Sequence, residues 1–75
     1  MSLLPKTTGA LIRQVTPYTV HGQPYLQIHY SLVGAENEMR EARLGTEAAY
    51  ANIKDGDQVA LYTLMNTVTK IEKVG

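Results

Sequence analysis

From residue 25 to 33 the chain alternates without a break. Leu26, Ile28, Tyr30 and Leu32 fall on one side, and Tyr25, Gln27, His29 and Ser31 on the other. Period two predicts a β-strand with one face on a core and the other toward water or a partner. Gly22 is free to take positive φ and places a turn at 20–23, and Pro24 opens the strand where its missing N–H costs little. Upstream, residues 8–16 are β-branched and apolar between Pro5 and Pro17 and predict a first strand. Its inward face is open between Leu11/Val15 and Ala10/Ile12.

Downstream, residues 34–37 predict a second turn and 38–44 a charged third strand. Arg40, Ala42 and Leu44 share one face of it, and Met39, Glu41 and Arg43 the other. Mixed charge of this kind discourages stray edge pairing. The same residues are good helix formers, but the short turn before them and the stop at Gly45 favour a strand. Residues 46–53 predict a short helix, with Thr46 as N-cap and Glu47 favourable to the dipole in the first turn. A tight turn at 54–57 leads to a fourth strand over 58–64 and a fifth over 67–74, hinged at Met65 and Asn66.

The order is strand, strand, strand, short helix, strand, strand. It is the order of an OB-type barrel, and small SH3-like barrels produce a similar string. The predicted fold is therefore mainly β: a five-stranded antiparallel OB-like or SH3-like small barrel, with one short helix between strands three and four. Residues 1–75 form one domain, with 1–6 as a loose N-terminal extension.

Composition narrows the functions. At 75 residues a core supplies only about 3–5 kcal/mol, so small domains often lean on staples or partners. Cys is absent, which removes disulfides and thiolate metal ligands. Five Tyr carry all the aromatic bulk, without Phe or Trp. Seven basic and seven acidic residues balance to zero. Nucleic-acid binders usually show a basic excess, because phosphate neutralisation drives their affinity. Zero net charge also lowers the electrostatic barrier to self-association. With no apolar run long enough to span a bilayer and no signal-peptide pattern, a cytoplasmic location is expected.

The outward face of the second strand offers Tyr25, Gln27 and His29, with Tyr18 in the preceding turn region able to extend it. On an OB-type barrel this face holds oligonucleotides, aromatic rings stack on bases, and Arg13, Arg40 and Arg43 are candidate phosphate contacts. The plainer reading is cross-strand packing of Tyr and His on a half-exposed sheet. His21 and His29 begin a metal site, but no third or fourth ligand completes it. Lys54-Asp55-Gly56-Asp57 is a reverse turn rather than a calcium loop, since it lacks the spaced oxygens and terminal Glu. Glu36, Glu38 and Glu41 read as a solvated edge. No nucleophile–base–acid arrangement and no phosphate-cradling loop stands out, so neither catalysis nor a cofactor is expected. Tyr25, Tyr62 and the Met39 side suit a protein contact, and a symmetric dimer through the third-strand edge is a variant of it.

The segments Thr8-Gly9-Ala10-Leu11-Ile12, His21-Gly22-Gln23-Pro24-Tyr25 leading to Ile28-His29-Tyr30, and Ile53-Lys54-Asp55-Gly56-Asp57 leading to Val59 and Tyr62 carry a likeness. The chain resembles bacterial small β-barrel domains of unknown function, whose fold is similar to the soluble OB-like domains of NfeD-type proteins. Such domains often accompany a membrane anchor. The resemblance implies an accessory module without catalytic residues, and it allows the chain to be the soluble part of an anchored protein. The expectation is a non-catalytic interaction module, partnered by protein or by itself, with single-stranded nucleic-acid binding as the alternative.

Overall fold

The computed structural model describes residues 5–74. Five strands form one antiparallel sheet: β1 (Lys6–Val20), β2 (Gln23–Leu32), β3 (Ala35–Gly45), β4 (Gln58–Leu64) and β5 (Thr67–Lys73), in spatial order β3-β2-β1-β4-β5. Of the expected N-terminal extension, residues 1–4 lie outside the described ones. Lys6 already belongs to β1, opposite Thr63.

β2 keeps the alternation of its sequence as far as Tyr30. Leu26, Ile28 and Tyr30 are buried, and cross-strand pairs Ile12–Tyr30, Leu26–Leu44 and Ile28–Ala42 carry the core into both neighbours. Val59, Leu61 and Ile71 complete it from β4 and β5. The β1–β2 turn is His21-Gly22, both with positive φ, the geometry that matches the twist of a tight hairpin.

β1 is longer than predicted, because Pro17 does not end it. Beyond Leu11 the strand has lost its β4 partner and pairs with β2 alone, opposite Leu26 at Pro17. Proline is tolerated on such an edge. The inward face of β1 changes phase along its length. The register passes from Ile12–Tyr30 to Gln14–His29, so Arg13 is an extra residue. Such a bulge turns the following side chains over. Ala10 and Ile12 are buried before it, and Val15 packs on the core after it.

Barrel closure is not made. β3 and β5 are the two edges of the sheet, and no ladder joins them. β3 leaves Glu36, Asn37, Glu38 and Met39 opposite Ser31 alone, a wide irregularity that bends the strand. The expected helix shrinks to one 3-10 turn at Thr46–Ala48. Gly45, not Thr46, occupies the cap position and makes no side-chain bond, and Ala49 is already extended. A segment this short has no helical stability of its own without a packed apolar face. Asp57 holds its far end instead. The carboxylate is buried, accepting the Tyr50 hydroxyl at 2.5 Å and the Lys54 amide at 3.3 Å.

Candidate interaction face

The side of β1, β2 and β3 turned away from the core is built by register. Three rows cross it: Tyr18–Tyr25–Gly45, then Thr16–Gln27–Arg43, then Gln14–His29–Glu41. The Tyr18 and Tyr25 rings stack with centroids 5.6 Å apart and planes 22° from parallel. Gln27, His29 and Arg43 join them, so five of the seven residues singled out from sequence share this surface.

The other two do not. Arg40 lies opposite Tyr30, in the phase of the buried Ala42 and Leu44. It lines the opening between the β3 and β5 edges together with Tyr30, Leu32 and Val68. Arg13 is the exposed extra residue of the β1 bulge, outside the rows. Ser31 departs from its expected outward exposure: it is fully buried, abreast of the wide bulge in β3. Its Oγ and the Nδ1 of His29 are buried without a hydrogen-bond partner. Tyr62 is on the far side of β1, opposite Thr7 and Lys70, and does not join the Tyr25 patch.

The charges at the middle of the face answer one another. Glu41 contacts Arg43 at 3.0 Å and His29 Nε2 at 3.7 Å. Hydrogen bonding from Gln27 is the main reason its carboxyl lies below the usual range, with the charges of Arg43 and His29 adding to it against an opposing desolvation. Arg43 is thus engaged by a neighbour, and the middle of the face carries no spare positive charge. At its upper end a depression of about 390 Å³ is lined by Gln23, Pro24, Tyr25, Gly45 and Glu47. A Cβ placed on Gly45 would fall on the Glu47 carboxylate. Since Gly45 is the cross-strand partner of Tyr25, that carboxylate stands on the same face as the ring. Glu47 was legible in sequence only as a helix-dipole residue; nothing local signals that it folds back over Gly45.

Among the described residues no group of three or more His, Asp or Glu is placed to hold a metal ion. His21 is in the turn and His29 eight residues along, roughly 25 Å by strand rise. No helix of the described residues is long and apolar enough to cross a membrane. Comparison of the chain with protein-family models, curated proteins and solved structures gives no match.

Proposed function

We propose that the chain is a non-catalytic interaction module that binds another protein through the outward face of β1, β2 and β3. The observation that carries this reading is the tyrosine pair at one end of a face whose middle charges, Glu41 and Arg43, pair with each other. Tyr18 and Tyr25 offer a large, fairly rigid area with polar tips, the composition that interface centres favour. The strand order fits an OB-type connectivity in which β3 and β5 would be the closing neighbours, and such folds bind their ligands on the β2–β3 side. The likeness to accessory β-barrel domains points the same way.

Single-stranded nucleic acid is the second reading, favoured by the aromatic pair on that same side. Two features weigh against it: Arg43 is already bound to Glu41, and Glu47 adds a negative charge beside Tyr25. Phosphate affinity needs free cations.

The test is a photo-crosslinking amino acid placed at Gln27, with Thr67 of β5 as control, in cells that make the chain. A discrete protein adduct at position 27 and not at 67 is expected. Adducts to nucleic acid, or equal protein adducts at both positions, overturn the reading. A titration with a mixed single-stranded oligonucleotide at low salt decides the second reading, through saturable amide shifts at Tyr25 and His29 that added salt reverses.

A further inference from the structure

Tyr62 shows what a tyrosine on this sheet does when its surroundings are complete. Its hydroxyl donates to Glu72 at 2.7 Å, Lys70 Nζ lies 5.7 Å from its ring centroid, and the same lysine pairs with Glu72 at 3.2 Å. Ring, carboxylate and cation form a closed trio. Each component favours the others: the π-face attracts the cation, and the carboxylate neutralises it.

Tyr25 has the first two components only. Its ring and the Glu47 carboxylate line one depression, with Gly45 as a floor that projects no side chain. No ion pair of the described residues involves Glu47. Gln23, at the rim, brings an amide whose oxygen stands 3.4 Å from the Tyr25 hydroxyl. The depression is open to solvent, with one carboxylate, Glu47, and one aromatic ring, Tyr25, in its lining. Phosphate and carboxylate ligands are repelled from it, whereas a planar cation can lie on the ring and face the carboxylate with its N–H groups.

We infer that the depression beside Tyr25 receives an arginine side chain of the partner protein, its guanidinium stacked on the Tyr25 ring and hydrogen-bonded to Glu47. Arginine is favoured over lysine because its flat, delocalised head both stacks and presents paired donors, and it sheds water at lower cost. The inference rests on the outward face of β1, β2 and β3 being a protein-binding surface, and it names the chemistry recognised at one end of it.

The experiment is an amide NMR titration of the whole chain with the blocked peptide acetyl-Gly-Arg-Gly-amide. Its citrulline analogue, which keeps the shape and loses the charge, is the comparison. Saturable shifts are expected at Gln23, Tyr25, Gly45 and Glu47, with an affinity on the order of millimolar for so small a contact. They should weaken about fivefold or more with the citrulline peptide and in Glu47→Gln. Gly45→Ala, whose extended backbone accepts a side chain, should displace the carboxylate and give the same loss while the rest of the spectrum keeps its dispersion. Absence of saturable shifts, or shifts undiminished by citrulline and by Glu47→Gln, overturns the inference. A silent titration with the Gln27 crosslinks intact removes the arginine site alone. A positive titration without those crosslinks removes the wider interaction reading and leaves the site.

Discussion

Tyr62 and Tyr25 stand on the outer surface of the same sheet, each beside a carboxylate, and among the described residues only Tyr62 has a cation of its own. The difference lies in how the carboxylate is delivered. Glu72 and Lys70 come from β5, two residues apart on one face and next to Tyr62 by ladder register, so the trio forms with the sheet. Glu47 comes from a connection beyond the end of β3, outside any ladder, and among the described residues no lysine pairs with it. A ladder tends to satisfy its own charges because opposite residues are neighbours by construction. A loop carries a charge to a place where the sheet has none to answer it.

The largest way to break the comparison is to remove the core on which both sites rest. Ile28 is fully buried at the centre of β2, and Ile28→Ala should cost about 3–4 kcal/mol, most of the stability of so small a domain. Urea unfolding followed by circular dichroism reads it. A loss below about 1 kcal/mol would mean that the core is organised elsewhere.

The clamp on the Glu47 segment comes next. Tyr50→Phe removes the hydroxyl that Asp57 accepts and should lower the thermal midpoint by roughly 5 °C. The same bond is the main reason the Asp57 carboxyl is lowered. A carboxyl lowered on folding adds stability above its ordinary value, 3.8, and the contribution is lost as pH falls through the folded-state value. Tyr50→Phe should therefore move the acid limb of the stability curve to higher pH. An unmoved acid limb would show that Asp57 does not hold the segment.

Tyr62→Phe tests the closed trio and should shift the midpoint less than Tyr50→Phe, because its partners are more open to water. The hydroxyl is the main reason the Glu72 carboxyl is lowered, so carbonyl-carbon NMR should show Glu72 titrating at higher pH in the variant. An unchanged Glu72 titration would break the trio. The smallest change in stability, within about 0.5 kcal/mol, is expected for Lys70→Ala, and it sharpens the comparison most. With its own cation gone, Tyr62 and Glu72 should begin to bind the blocked arginine peptide, seen as new saturable shifts at Tyr62 and Glu72. Their absence would show that ring and carboxylate alone are insufficient.

The β2 part of the candidate face was legible from alternation alone. Tyr25, Gln27 and His29 share a side because side chains alternate in any strand, whereas Arg43 reaches their row only because the wide bulge in β3 resets the register, and no local pattern signals that bulge. The depression was not legible, because it depends on a residue that leaves the ladder. Glu47 lies two positions past Gly45, and local spacing does not say that a connection folds back over a glycine. Arg40 stands apart for a related reason: its charge suggests the candidate face, while strand phase puts it with Ala42 and Leu44.

By itself the sequence determined five strands, the inward face of β2 through Tyr30 and the β1–β2 turn, since these depend on periodicity and on residues such as Gly22 that permit unusual φ; the turn expected at 34–37 falls at 33–34 instead, and Ala35 already belongs to β3. The tertiary structure alone decided three things. The bulge at Arg13 let Ala10, Ile12 and Val15 all face one core, settling a choice that alternation left open. The edges β3 and β5 stayed without a ladder between them, so the sheet is open. The buried Asp57 replaced a helix as the anchor of the β3–β4 connection. Each is a contact or a break between segments distant along the chain, and a local pattern carries no information about which distant backbone arrives beside it.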